Sequence, residues 1–247
     1  QMSIRDSSRI IRRTECKMDE LFEGVRDVVD YVDERGLISV DEAFDRLYKN
    51  REKRNLLMKL KEVISYPGGP EKSILSRTFE ELYYGGKKFR ELYGLAPQLK
   101  MSTGLFEEEK LILRSDVTKF LKRKFGNKIG LLSGKRREAA RSILGPLFGS
   151  FFNDRACFFL EDCEGRSKPD PKLLQLVLEA LPSHSLVAYV GDSVEDLLLV
   201  QRLSRDDVVF VGVYGDSLLP TECVRLFVEK GANAILPSVN DLKVLFG

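Results

Sequence analysis

The chain has 247 residues, of which 43% are hydrophobic and 32% charged, and a formal net charge of +2. No apolar run approaches the roughly 18 residues needed to span a bilayer, and so small a net charge gives no reason to expect a nucleic-acid or membrane partner. The polar N-terminus lacks a secretion-type apolar segment, and four scattered cysteines without a CxxC pair fit a reducing compartment. We therefore expect a globular, cytoplasmic protein, and the high charged fraction without tryptophan favours a thermophilic source.

The sequence pattern of residues 15–103 predicts a small helical domain, because apolar residues recur there at helical spacing and strand signals are nearly absent. The Pro- and Gly-rich stretch 66–70 interrupts these helices. The helix that follows is expected to end near Gly85. Its predicted inner face consists of Phe79, Leu82 and Tyr83.

From residue 104 onward, short apolar strands alternate with helices. Repeated units of this kind predict an α/β fold with a doubly wound parallel sheet and helices on both faces. The predicted strands are 129–132, 157–160, 186–190, 208–213 and 234–236. The predicted helices are 107–125, 136–144, 171–181, 194–203, 222–230 and 239–246.

The first strand tip that suits an anion carries Ser133, Gly134 and Lys135. These residues stand at the amino end of a predicted helix, where a hydroxyl and free backbone N–H groups form an anion site. Alternatively, Ser133 caps the helix and Lys135 faces solvent. Both interpretations can hold together.

Lys168 follows the predicted strand 157–160 and a polar loop, and it comes just before the helix predicted at 171–181. Pro169 keeps Lys168 extended, Asp170 is the expected N-cap, and Pro171 suits the first helical position. A lysine fixed there can neutralise charge on a phosphoryl group. The alternative is a surface lysine in a proline-rich turn.

The third tip follows a buried strand with Gly191 and the acids Asp192, Glu195 and Asp196. Open α/β sheets bind ligands at such strand ends. Because Asp192 and Asp196 are four residues apart, both can face one side of the first helical turn. Two carboxylates suit Mg²⁺, which also takes waters and a phosphate. The competing interpretation is that Asp192 or Ser193 caps the helix and the acids complement its dipole.

The order of these three segments resembles the haloacid dehalogenase superfamily, in particular its phosphatase-like members with a helical cap. By this resemblance, residues 1–14 and 104–247 form the α/β core and 15–103 the cap. It implies a Mg²⁺-dependent phosphatase for a small phosphorylated metabolite. In that scheme Ser133, Gly134, Lys135 and Lys168 bind the phosphoryl group, with Lys168 also steadying the nucleophile. Asp192 and Asp196 position the Mg²⁺.

The family pattern begins with a strand ending in Asp-x-Asp-Gly, whose first aspartate is the covalent nucleophile. This sequence has no such motif, and residues 1–9 resemble the segment just downstream of it. We favour a truncated or altered phosphatase over a natural pseudoenzyme and expect little or no turnover. The alternative is a non-catalytic protein that binds phosphate and metal in a regulatory role.

The missing strand would lie mid-sheet, between the strand ending at Ser133 and the strand ending at Gly191. Without it, backbone N–H and C=O groups on both neighbours would lack partners. The chain must then fill the gap, close it, or have lost residues upstream. An open slot would also allow homodimers to form by strand exchange.

Overall fold

A computed structural model describes residues 69–217 and 219–247, with scattered positions between residues 42 and 58. The chain divides into two compact units, Gln1–Glu109 and Lys110–Gly247. The predicted core segment 1–14 and most of the predicted cap before residue 69 lie outside the described residues. The assignment of core and cap therefore stays a prediction. Among the described residues, no helix is both long and apolar enough to cross a bilayer.

The first unit contains helix α1 (Ile74–Tyr93) and a 3₁₀ turn at Leu105–Glu107. Gly85 breaks the helical geometry with φ 73° and ψ 160°, and a Cβ at that position would lie 2.7 Å from the backbone of Thr103. Only glycine suits this close approach at positive φ. The helix resumes after the break, so the predicted end near Gly85 marks a kink.

The predicted inner face of this helix is partly wrong. Tyr83 is buried, but Phe79 is 52% exposed. Phe79 stacks on the Tyr83 ring, with 5.8 Å between centroids, whereas Tyr83 also packs against Tyr84 and Phe106. Helical spacing correctly predicts that Phe79 and Tyr83 lie on one side of the helix. It does not show that Tyr84 and Phe106 pack against Tyr83 and leave Phe79 exposed.

The second unit alternates helices and strands, with 3₁₀ turns at Asp154–Ala156, Leu160–Cys163 and Val239–Asp241. Its elements in chain order are α2 (Ser115–Phe125), β1 (Leu131–Leu132), α3 (Arg137–Leu144), α4 (Leu147–Ser150), β2 (Cys157–Phe158), α5 (Pro171–Ala180), β3 (Val187–Gly191), α6 (Val194–Leu203), β4 (Val208–Val213), α7 (Pro220–Glu229), β5 (Ala234–Leu236) and α8 (Leu242–Phe246).

Strand pairing confirms the α/β class but divides the strands between two sheets. One sheet pairs β1 with β2, the other has the order β3-β4-β5, and all pairings are parallel. The sequence predicted a sheet whose gap between β1 and β3 is filled, closed or left open; among the described residues, these two strands do not pair with each other. Every residue of β3 is partly exposed, while its neighbour β4 is buried except at Val209. Within the described part of the chain, the break thus falls between the two strands expected to flank the first strand of the family pattern.

Helix α2 starts at Ser115, eight residues later than the predicted start at 107. The Asn240 side chain explains the delay, because it holds the preceding backbone in an extended conformation. Its amide nitrogen donates to the Ile112 carbonyl at 3.0 Å, and its oxygen accepts from the Arg114 N–H at 2.8 Å. The contact between Arg114 and Asn240 joins residues 126 positions apart, and no local sequence pattern predicts it.

The core lies on both sides of the β3-β4-β5 sheet. Helices α5, α6 and α7 cover one face and α2 and α8 the other. Along β3, Val187 and Tyr189 pack into the first cluster, while Ala188 and Val190 pack into the second. This period-two alternation is expected of a strand covered on both faces. It turns the Tyr189 side chain toward α5 and α6, which is the side on which the candidate site lies.

Candidate functional site

The centre of the site is the carboxylate of Asp196, in the first turn of α6. Asp196 is only 3% exposed. Ser193 caps the helix, because its Oγ accepts a hydrogen bond from the Asp196 N–H at 3.1 Å and donates one to Asp196 Oδ2 at 2.9 Å. Capping by Ser193 is therefore confirmed.

Two further side chains meet the other oxygen of this carboxylate. Lys168 Nζ lies 2.7 Å from Asp196 Oδ1, and the Tyr189 hydroxyl donates to the same atom at 2.8 Å. The Lys168 ammonium also lies 5.9 Å from the centroid of the Tyr189 ring. A charge-assisted hydrogen bond is roughly twice as strong as a neutral one. The contact therefore fixes the ammonium beside the tip of β3.

Two predictions about the segment that follows Lys168 are confirmed. Asp170 caps α5 by accepting from the Lys172 N–H at 3.0 Å, and Pro171 occupies the first helical position. The Lys168–Pro169 peptide bond is cis. The lysine is thus not a freely moving surface side chain, since both its backbone and its ammonium are anchored.

Gly191 makes room for the buried carboxylate. A Cβ on Gly191 would lie 2.5 Å from Asp196 Cβ and 2.7 Å from Asp196 Cγ and Oδ2. Real side chains do not approach so closely, so the turn after β3 requires glycine. The predicted role of Gly191 in a close backbone approach is confirmed.

Asp192 is exposed at the strand tip, yet surrounding protein withdraws solvent from its carboxylate. This burial and the negative charge of Asp196 raise the pKa of Asp192, a shift that Lys168 partly offsets and Asp216 reinforces. The pKa of Glu195 is raised in the same way, by burial and by Asp196. Asp216, in the loop after β4, was missed by the sequence analysis. Its position just past a strand end was the available signal.

The fit of the site to Mg²⁺ differs between its two predicted ligands. Asp192 points to an accessible tip and fits an ion that takes one or two carboxylates together with waters and a phosphate. An ion at Asp196 would have to displace Lys168, Tyr189 or Ser193. Among the residues that the structure describes, no three His, Cys, Asp or Glu side chains form a group that could hold a metal. The magnesium site stays a prediction.

The loop after β1 is arranged differently from the expected anion site. Ser133 is not the cap of α3, since that helix begins at Arg137 with Arg136 as its N-cap. The Ser133 hydroxyl accepts from the Lys135 N–H at 3.1 Å, and the Arg137 N–H donates to the Glu161 carboxylate at 3.2 Å. Two backbone donors expected to be free are therefore used within the protein.

The structure thus joins Lys168 to Asp196 directly and places Asp192 within their electrostatic influence. Ser133 lies at the end of β1, where its N–H donates to the Phe158 carbonyl at 3.0 Å. Phosphate binding by Ser133, Gly134 and Lys135 stays a prediction.

Part of the chain is similar in sequence to a known family. The sequence model of the haloacid dehalogenase-like hydrolases matches residues 91–202, a range that contains every predicted site residue. No curated protein matches the chain.

The X-ray structure of a Northeast Structural Genomics Consortium target shares the fold, with a TM-score of 0.50 and 16% identity over 85% of this chain. The alignment covers 59% of that protein, so the chain spans less than two thirds of its length. Residues 91–202 are therefore similar to a haloacid dehalogenase-like hydrolase domain, and the chain shares the fold of that solved structure.

Proposed function

We propose that the chain is the phosphate-binding part of a Mg²⁺-dependent phosphatase that acts on a small phosphate monoester. The observation that carries this proposal is the Lys168 ammonium, held 2.7 Å from a buried carboxylate beside a strand tip. A phosphate dianion needs positive charge fixed in advance, because a preorganised charge requires no reorganisation when the ligand or transition state forms.

In this function Lys168 binds the phosphoryl oxygens and Ser133 donates a hydrogen bond from its hydroxyl. Gly134 and Lys135 line the same side of the ligand. Asp192 is the residue best suited to hold Mg²⁺, since it is exposed at the strand tip and, unlike Asp196, is not the acceptor shared by Lys168, Tyr189 and Ser193. The metal, when bound, supplies charge neutralisation for the phosphoryl group.

The chain itself is expected to bind phosphate without efficient turnover. Covalent transfer needs a free carboxylate as nucleophile. Both oxygens of Asp196 are occupied, and Asp192 is assigned to the metal. The same occupancy favours a second candidate function, a non-catalytic phosphate- and metal-binding regulatory protein.

Calorimetry with inorganic phosphate, with and without Mg²⁺, tests the binding claim. We expect binding that is markedly weakened in Lys168→Met and unchanged in the matched surface variant Lys172→Met, four residues away on the first turn of α5. No binding by the unaltered chain in either buffer would overturn the proposal.

A phosphatase assay with a panel of small phosphate esters separates the two functions. If an Asp-x-Asp-Gly segment precedes residue 1 in the natural gene product, that longer protein should release phosphate in the presence of Mg²⁺. Binding without turnover by the longer protein would support the regulatory function.

A further inference from the structure

We propose that Tyr189 is a positioning residue that acts through Asp196 to hold the Lys168 ammonium ready for a phosphate-type oxyanion. This inference rests on the proposed function of the same site and adds a residue to it. Its basis is the geometry of one shared oxygen atom, Asp196 Oδ1.

The three contacts to Asp196 leave its carboxylate little freedom to rotate. Lys168 and Tyr189 both donate to Oδ1, at 2.7 and 2.8 Å, while Ser193 donates to Oδ2 at 2.9 Å. The carboxylate is almost fully buried. Buried acceptors that are fully satisfied in this way form rigid networks.

Tyr189 is itself well anchored. Its ring stacks on Phe210 of β4, with 6.4 Å between centroids, and it packs into the cluster formed with α5 and α6. Burial and the charge of Asp196 both raise the pKa of its hydroxyl. The hydroxyl therefore stays protonated and donates throughout the neutral pH range.

The shared oxygen gives Tyr189 an effect on ligand binding. A lysine side chain loses rotamer freedom when it binds a ligand, and the contact with Asp196 removes that freedom beforehand. The Tyr189 hydroxyl donates to Oδ1 and so stabilises part of its negative charge. The Lys168 ammonium is therefore less fully neutralised by Asp196 and can still attract an anion. Without the hydroxyl, Lys168 has no second donor beside it on Oδ1 and is drawn toward that oxygen, which weakens anion binding.

This role differs from the predicted role of Asp196 as a Mg²⁺ ligand, and the two give different results without metal. If Asp196 and Tyr189 position Lys168, removing the Tyr189 hydroxyl weakens phosphate binding even in EDTA. If Asp196 serves only the metal, the same change has no effect in EDTA.

The experiment is calorimetry with inorganic phosphate in EDTA on the full chain and its variants. We expect Tyr189→Phe to weaken binding roughly five- to ten-fold, the effect of one ordinary hydrogen bond, because the hydroxyl acts on the ligand only through Asp196. The matched control is Tyr214→Phe. Tyr214 packs against the same cluster, and its hydroxyl is not among those that bond to Asp196 or Lys168 in the described part of the chain. This variant should bind phosphate as the unaltered chain does.

A double-mutant cycle separates positioning from general damage to the fold. In a Lys168→Met background, Tyr189→Phe should cause no further loss of phosphate affinity. An equal loss in both backgrounds, or unchanged affinity in Tyr189→Phe alone, would overturn the inference. Thermal melting of each variant verifies that it is folded.

A ligand-free measurement keeps this inference separate from the proposed function. The ¹H–¹⁵N signal of the Lys168 ammonium should be visible in the unaltered chain because its protons exchange slowly. It should shift in Tyr189→Phe, where Lys168 loses the donor with which it shares Oδ1, and disappear in Asp196→Asn. Failure of phosphate binding with this pattern intact would overturn the proposed function alone, whereas an unchanged signal in Tyr189→Phe would overturn the positioning role.

Discussion

The tip of β3 was predicted to hold Mg²⁺ and the tip of β1 to bind phosphate, and the two tips are built in different ways. At the β3 tip, the buried carboxylate of Asp196 accepts hydrogen bonds from the side chains of Lys168, Tyr189 and Ser193. At the β1 tip, the contacts are backbone hydrogen bonds and half-exposed ion pairs such as Arg137–Asp162, whose side chains are about one third exposed. The first tip is fixed by burial, whereas the second can rearrange at small cost.

The largest effect that tests this contrast is expected at Asp196. Asp196→Ala should lower the free energy of unfolding by about 3 kcal/mol, since it leaves Lys168 and Tyr189 without their buried acceptor; the partial exposure of Lys168 (23%) keeps the loss from being larger. Chemical denaturation gives this value.

The matched variant at the β1 tip is Glu161→Gln. Glu161 pairs with Arg136 at 3.8 Å and is 39% exposed. We expect a loss below about 1 kcal/mol, as for other surface ion pairs. Equal losses for the two variants would contradict the distinction between the tips.

Glycine substitutions provide the second test. Gly191→Ala should destabilise the protein by about 1–3 kcal/mol because overpacking forces neighbours to shift, and the new Cβ would meet Asp196 at 2.5 Å. Gly134→Ala at the β1 tip meets no atom within 4 Å and should change stability by less than about 0.5 kcal/mol. Thermal unfolding of both variants checks the difference, which would vanish if the β3 tip could relax.

The dependence on metal provides the third test. Asp192→Asn should abolish any gain in phosphate affinity from Mg²⁺ while leaving the affinity in EDTA nearly unchanged. Ser133→Ala should instead weaken binding a few-fold under both conditions, as expected for one lost hydrogen bond. Calorimetry on the two variants, with and without Mg²⁺, measures these affinities. The assigned roles would be wrong if Ser133→Ala abolished the Mg²⁺ effect and Asp192→Asn weakened binding under both conditions.

The Mg²⁺ effect should also depend on pH. Metal binding requires the ionised carboxylate, and burial together with the charge of Asp196 raises the pKa of Asp192. As the pH falls, the gain from Mg²⁺ should therefore disappear at a higher pH than for an ordinary aspartate. A titration midpoint at or below 3.8, the ordinary value, would argue against Asp192 as the ligand.

The smallest effect is expected at the exposed Asp116. Hydrogen bonds from Lys243 and Arg114 lower the pKa of Asp116 from 3.8 to about 2. Because the pKa is lower in the folded state, the stabilising contribution is complete above pH 3.8 and is lost as the pH falls through about 2. Asp116→Asn should remove this small pH dependence of the unfolding free energy between about pH 2 and 3.8. High salt should weaken the same pH dependence in the unaltered chain. An identical slope in both proteins would exclude this contribution.

Much of the fold followed from local patterns. The predicted bounds of β4, β5 and α6 agree with the structure. Asp170 and Ser193 are the caps that their positions indicated. These features depend on side-chain periodicity and on hydrogen bonds within three residues, and such short-range information is present in the sequence itself.

Other features depended on residues distant in the chain. The sequence offered Asp196 as a metal ligand, and only the folded chain shows that Lys168, 28 residues away, and Tyr189 occupy its oxygen. Likewise, the Arg137 N–H meets Glu161, 24 residues further on. Composition and spacing cannot state which of several polar groups will satisfy a given donor once the chain is packed.

The sequence by itself determined the alternation of helices and strands, the turn residues and the set of polar groups at three strand tips, because each is a local consequence of residue type. Tertiary structure alone decided that the strands of the described residues form two sheets, that Asp196 is buried, and that Lys168 is anchored to it. The physical reason is that burial and long-range hydrogen bonding depend on which surfaces meet, a property of the packed chain and not of any single segment.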